Sequence, residues 1–124
     1  MTGNCNKHRV FVVDDDAQIA EICTLVLREA GFEVETFHDG MAALQRAMEY
    51  EPDVVLTDFS MPKMDGITLA TCLEKHYPAC RVVIISGQAV QLGEDATRNP
   101  RFTLLQKPLT PSQILACVQQ AVAS

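Results

Sequence analysis

The chain has 124 residues, 48% of them hydrophobic and 21% charged, a length and composition that describe one soluble globular domain rather than a disordered chain or a two-domain protein. A net charge of −6 without any basic stretch argues against non-specific binding to nucleic acid. No apolar run reaches the length of a membrane span.

The first eight residues carry no apolar stretch, so they read as a flexible tail rather than a signal peptide, with the domain over 9–124. Cys5, Cys23, Cys72, Cys80 and Cys117 are odd in number and none is paired at Cys-x-x-Cys spacing. Cys23, Cys72 and Cys117 fall among apolar helix positions, where a thiol acts as a small hydrophobe. A zinc or redox site is not expected, and a reducing, cytoplasmic setting is.

Val10 to Val13 is an apolar run ending in Asp14-Asp15-Asp16, which predicts a first strand. Ile19, Ile22, Cys23, Val26 and Leu27 then recur at helical spacing, with Asp16 as N-cap and Gly31 as the residue just past the end. Glu33 to Phe37 alternates polar with apolar residues, as a strand near a sheet edge does. Asp39-Gly40 opens a helix whose inward side is expected to include Met41, Leu44 and Met48. Val54-Val55-Leu56 is a short, wholly apolar run ending at Asp58, followed by turn residues Ser60, Pro62, Asp65 and Gly66. A helix carrying Ile67, Ala70 and Leu73 comes next and stops before Pro78.

Arg81 to Ile85 is a further apolar strand, ending in Ser86-Gly87. Gln88 to Pro100 has only Val90 and Leu92 as anchors and predicts the weakest helix of the chain. Phe102 to Gln106 is a mixed strand stopped by Lys107-Pro108. Thr110-Pro111-Ser112-Gln113 has the form of a capping box with proline at the first helical position. Ile114, Leu115, Val118, Ala121 and Val122 make the buried stripe of the last helix.

Strands alternating with helices predict an α/β protein with a parallel sheet covered on both faces. The three wholly apolar strands belong in the middle and the two mixed ones at the edges. With right-handed crossovers this gives the flavodoxin-like (βα)5 three-layer sandwich, strand order 2-1-3-4-5.

Open sheets of this kind build their sites at the carboxyl ends of the strands. Successive strands bring Asp14 and Asp15, Asp58, Ser86 and Lys107 to that edge. Carboxylates about 5 Å apart repel by roughly 3 kcal/mol per pair at an effective dielectric of about 20, so the cluster must take up protons or hold a cation. Magnesium suits such oxygen donors, and Lys107 and Ser86 add a positive charge and a hydroxyl donor fitted to a phosphoryl group. Taken singly, each residue has a plainer reading: an Asp after a strand caps or turns, Ser-Gly turns, and a lysine at a strand end is solvated. Their joint placement carries the functional reading. His8, His38 and His76 lack metal-ligand spacing and are given no role.

Val-Val-Asp-Asp-Asp at 12–16, Leu-Thr-Asp-Phe-Ser-Met-Pro-Lys-Met-Asp-Gly at 56–66, Ile-Ile-Ser-Gly at 84–87 and Gln-Lys-Pro-Leu at 106–109 resemble the receiver domain of two-component response regulators. The resemblance implies that Asp58 accepts a phosphoryl group from a histidine kinase or histidine phosphotransfer protein. It implies direct Mg²⁺ ligation by Asp15 and Asp58, ligation through water by Asp14, and a backbone carbonyl ligand from Ser60. Ser86, the Gly87 N–H and Lys107 would contact the phosphoryl oxygens, and the Lys107–Pro108 bond would be cis. Ser60 and Gln88 would line the water approach and tune dephosphorylation. Signalling would pass through the surface of the fourth helix, the last strand and the last helix, to a downstream target or a fused output domain, without nucleic-acid or membrane contact by this domain.

Two departures stand out. The aromatic residue often found three positions before the lysine is Leu104, with Phe102 on the same strand face, and Asn99-Pro100-Arg101 replaces the usual Gly-Ala pair before the last strand. Two other readings compete. A magnesium-dependent phosphohydrolase would need a second carboxylate two residues after Asp58, where Ser60 stands. A phosphorylation-independent interaction module would have no need of the full set of acids, Ser86 and Lys107. On the receiver reading the chain is a signalling domain, not an enzyme acting on other substrates.

Overall fold

The computed structural model describes residues 8–87, 102–107 and 109–123. The expected weak helix at 88–100, Gln88, the Lys107–Pro108 bond, Cys5 and nearly all of the expected tail lie outside those residues.

The strands are β1 (Arg9–Val13), β2 (Glu33–Phe37), β3 (Val54–Asp58), β4 (Arg81–Ser86) and β5 (Phe102–Gln106), with β-branched residues concentrated in β1, β3 and β4. Between and after them lie α1 (Ala17–Glu29), α2 (Gly40–Glu49), α3 (Gly66–His76) and α4 (Pro111–Ala123). All neighbouring strands are parallel, in the order β2-β1-β3-β4-β5. Strand burial follows the sequence pattern: β3 is buried throughout, β1 and β4 at all but their first residue, whereas β2 and β5 are mixed. The edge strands are the amphipathic ones.

Alternation along the central strands splits the core in two. Val10, Val12, Val54, Leu56, Val83 and Ile85 pack beneath α1 and α4. Phe11, Val13, Val55, Val82 and Ile84 pack beneath α2 and α3. A one-residue slip in any central strand would exchange the two sets, so the register is tightly held.

Helix ends are set by short polar side chains. Asp16, Asp39 and Asp65 each accept hydrogen bonds from N–H groups in the first turn of α1, α2 and α3. At the end of α1, Gly31 takes φ 98°, its N–H donates to Arg28 and that of Phe32 donates to Leu27. This is the paired closure that needs a left-handed residue, and the side chains of Phe32 and Leu27 join the same core. The capping box of α4 is reciprocal: Thr110 N donates to Gln113 Oε1 at 2.8 Å and Gln113 N donates to Thr110 Oγ1 at 3.1 Å.

Two helix faces differ from the sequence expectation. On α2 the inward residues are Ala43 and Ala47, with Leu44 partly buried, while Met41 and Met48 are 53% and 78% exposed. Small side chains let α2 approach the sheet closely, which rotates both methionines outward. On α1 the buried line is Ala20, Cys23, Thr24 and Leu27, leaving Ile22 half exposed. Thr24 is accepted inside because its hydroxyl pairs with that of Thr36 on β2 at 2.7 Å.

Candidate functional site

The carboxyl ends of four adjacent elements converge above β1 and β3. Asp14 and Asp15 directly follow β1, Asp58 is the last residue of β3, Ser86 is the last of β4, and Lys107 lies just beyond β5. One oxygen from each of Asp14, Asp15 and Asp58 lies within 4.8 Å of the others. Asp14 and Asp58 are buried and Asp15 is exposed, so the cluster opens to solvent on one side.

Asp14 is the most constrained of the three. Its backbone N–H donates to Phe37, its Oδ1 accepts from Asp16 N at 2.9 Å, and its carbonyl accepts from His38 Nδ1 at 3.1 Å. A carbonyl only accepts, so Nδ1 is the protonated nitrogen of His38. Burial pushes the Asp14 carboxyl up to about 6; the Asp16 N–H lowers it, the Asp58 charge raises it, Lys107 lowers it and Asp15 raises it.

Lys107 is the counter-ion. Its Nζ lies 3.0 Å from Asp58 Oδ1 and 4.0 Å from Asp14 Oδ2. Burial alone would lower its pKa, but the hydrogen bond from Lys107 to Asp58 and the charges of Asp58 and Asp14 outweigh it, and the group ends above its ordinary value. Its backbone N–H donates to the Ser86 carbonyl at 2.8 Å, which ties the end of β5 to β4.

The loop after Asp58 is shaped by close approach. Phe59 N donates to Ile85, Gly66 N donates back to Phe59, and a Cβ at Gly66 would sit 2.5 Å from the Asp58 carbonyl oxygen. Only glycine fits there. Lys63 takes φ 70° within a three-residue turn closed by Met64 N donating to Pro62 O at 2.7 Å, a strained conformation for a residue with a side chain. Ser60 is exposed in this loop. The side chain of Ser86 is buried, while a Cβ at Gly87 would meet nothing within 4 Å among the described residues.

The expected residues therefore meet at one edge, with Ser60 and Gly87 at its exposed margin. Three acids against one ammonium leave unbalanced negative charge at a partly buried point. Octahedral magnesium places opposite ligand oxygens roughly 4 Å apart, so a cluster spanning slightly more needs only small side-chain movements to hold such an ion.

The family model described as the response regulator receiver domain matches residues 10–119. The chain belongs to that family. Among curated relatives it is 33% identical over 117 residues to the DNA-binding response regulator MtrA of Mycobacterium tuberculosis H37Rv, covering 91% of this chain and 50% of that protein. It is 31% identical to the DNA-binding transcriptional regulator NtrC of Escherichia coli K12, covering 92% of this chain and 24% of that one. The chain thus spans a quarter to a half of the length of these relatives. Among solved structures, a receiver domain protein from Clostridium thermocellum superposes with a TM-score of 0.85 at 27% identity, covering 94% of both chains. The chemotaxis response regulator CheY4 of Vibrio cholerae superposes with a TM-score of 0.84 at 26% identity, covering 94% of this chain and 99% of that one.

Within this receiver domain, Phe102 and Leu104 both pack against the core under α2 and α3, so the aliphatic replacement at 104 fills the same side of β5. Sequence reasoning gave His38 no role, yet it holds the backbone of Asp14. Only its position after an edge strand, opposite the Asp14 turn in the 2-1 pairing, could have signalled this.

Proposed function

We propose that Asp58 is the phospho-acceptor of a two-component phosphorelay, served by a magnesium site at Asp14, Asp15, Asp58 and the Ser60 carbonyl. The observation that carries this reading is the acid trio at β1 and β3 with Lys107 Nζ 3.0 Å from Asp58. When bound, the metal offsets the negative charge of carboxylate and phosphoryl oxygens as they approach. An Asp58 carboxylate oxygen attacks phosphorus in line. The new O–P bond forms as the P–N bond to a donor histidine breaks, and the departing imidazole nitrogen keeps the electron pair.

The chain's own groups position and neutralise. Lys107 exchanges its contact with the Asp58 oxygen for the incoming phosphoryl oxygens. The Ser86 hydroxyl and the Gly87 N–H donate to the same group. Asp14, fixed by Asp16 and His38, keeps the acidic floor in place. The histidine donor belongs to a sensor kinase or a phosphotransfer protein, and the output is a docked target or a fused domain, read through the surface around β5 and α4. The domain itself takes in 9–124, works in the cytoplasm, and catalyses only its own phosphorylation and dephosphorylation.

Incubation with acetyl phosphate and Mg²⁺ tests this directly. The native chain is expected to gain one acid-stable, base-labile phosphate, and Asp58→Asn none, with chelation of the metal also abolishing it. Normal labelling of Asp58→Asn would overturn the assignment. Turnover of added phosphate esters would point to a hydrolase instead.

A further inference from the structure

The outward turn of α2 leaves a groove of about 360 Å³ between α2 and α3, remote from the acid cluster in role and in chemistry. Met41 and Met48 line it from α2, and Cys72 and His76 line it from α3. Cys72 and His76 are four residues apart and stand one turn above the other on one face; Met41 and Met48, seven apart, share a face of α2. The remaining lining residues are Leu44, Gln45 and Tyr77, so no carboxylate or ammonium faces the groove among the described residues.

Four side chains with soft or borderline donor atoms therefore line one groove that has no charged side chain in its lining. Thioether and thiolate sulfur select soft ions, imidazole is compatible with them, and hard ions such as magnesium or calcium find no anionic oxygen here. Packing does not account for the two methionines, which are 53% and 78% exposed. Their unbranched stems are flexible enough to bring both sulfurs toward the α3 pair.

We propose that the α2–α3 groove binds one soft monovalent metal ion, copper(I) or its redox-inert analogue silver(I), through Cys72, His76 and the thioethers of Met41 and Met48. Binding replaces the Cys72 S–H proton with the metal and releases that proton; no electron is transferred. The buried thiols do not compete. Burial pushes Cys23 and Cys117 up to about 11 and Cys80 up to about 12, and all three are enclosed, whereas Cys72 is half-buried at the groove.

The test is silver(I) titration of the full chain carrying ¹³C-methyl methionine, in chloride-free buffer, followed by copper(I) competition against a coloured chelator. The methyl signals of Met41 and Met48 are expected to shift and to saturate at one equivalent, while those of Met61 and Met64 stay in place. Cys72→Ser is expected to abolish the shift with the amide spectrum otherwise intact. Met41→Leu with Met48→Leu is expected to weaken copper(I) binding, and Cys5→Ser to leave it unchanged. Unmoved Met41 and Met48 signals at one equivalent, survival of the shifts in Cys72→Ser, or their loss in Cys5→Ser would each overturn the proposal. None of these residues belongs to the phospho-acceptor site, so labelling of Asp58 is an independent readout.

Discussion

In Asp14, burial concentrates an unfavourable negative charge in a single side chain of the acid cluster. Burial raises its folded pKa to about 6 from an ordinary value of 3.8. Below about pH 4 the carboxyl is protonated in both folded and unfolded chains and costs nothing. As pH rises toward 6, the unfolded chain releases the proton while the folded one keeps it, so stability falls. Above that window the full cost, about 3 kcal/mol, remains. Asp14→Asn is therefore expected to stabilise the metal-free protein at pH 7.5 by up to that amount and to change little at pH 4, as denaturant titration at the two pH values would measure. The same variant should respond less to added Mg²⁺. A second residue-scale prediction concerns Gly66, where a Cβ would meet the Asp58 carbonyl oxygen at 2.5 Å. Gly66→Ala must displace that backbone, at roughly 2 kcal/mol, and should slow labelling of Asp58. Gly87→Ala, whose Cβ would meet nothing within 4 Å among the described residues, should leave thermal stability unchanged.

At the scale of elements, local polar signals proved easier to read than helix faces. Asp16, Asp39, Asp65, Gly31 and the Thr110–Gln113 box occupy the cap positions their residue types favour, because capping is a short-range matter of one side chain and one turn. The strands were equally legible, since a wholly apolar run such as Val54 to Leu56 can be satisfied only in a sheet's middle. The inward face of α2 was not. Periodicity identifies an apolar side, but Ala43 and Ala47 compete with Met41 and Met48 for the sheet, and only packing distance decides between them. The placement of the acid trio, Ser86 and Lys107 at one edge could be read because each ends or closely follows a strand whose order the apolar pattern predicts; the contact of His38 to a backbone carbonyl left no signal beyond its position after an edge strand. The capping box gives this scale its prediction. Thr110→Ala removes the acceptor for Gln113 N and should cost about 1 kcal/mol in urea unfolding, with little effect on phosphate labelling.

Across the whole molecule, the site joins strands of unequal stability. Asp58 and Ser86 end two of the three central strands and Asp14 directly follows the third, strands whose residues fill both cores, while Lys107 follows β5, an edge strand with no fully buried residue. Local opening begins where few apolar contacts and exposed backbone hydrogen bonds coincide. The ammonium is thus expected to stand on the more readily released part of the sheet, where the contacts of Lys107 to Asp58 and to the Ser86 carbonyl help hold β5 in place. A phosphoryl mimic on Asp58 gives Lys107 a stronger anionic partner than one carboxylate oxygen. Hydrogen exchange should then show β5 amides opening well before those of β3 in the free protein, and gaining protection beyond the global increase when Mg²⁺ and beryllofluoride are added. Lys107→Met should remove that extra gain while leaving β3 the slowest strand to exchange. Equal protection of β5 and β3 before ligand is added would show that the lysine stands on a rigid strand, and the edge of the sheet would then have no part in reading the phosphoryl group.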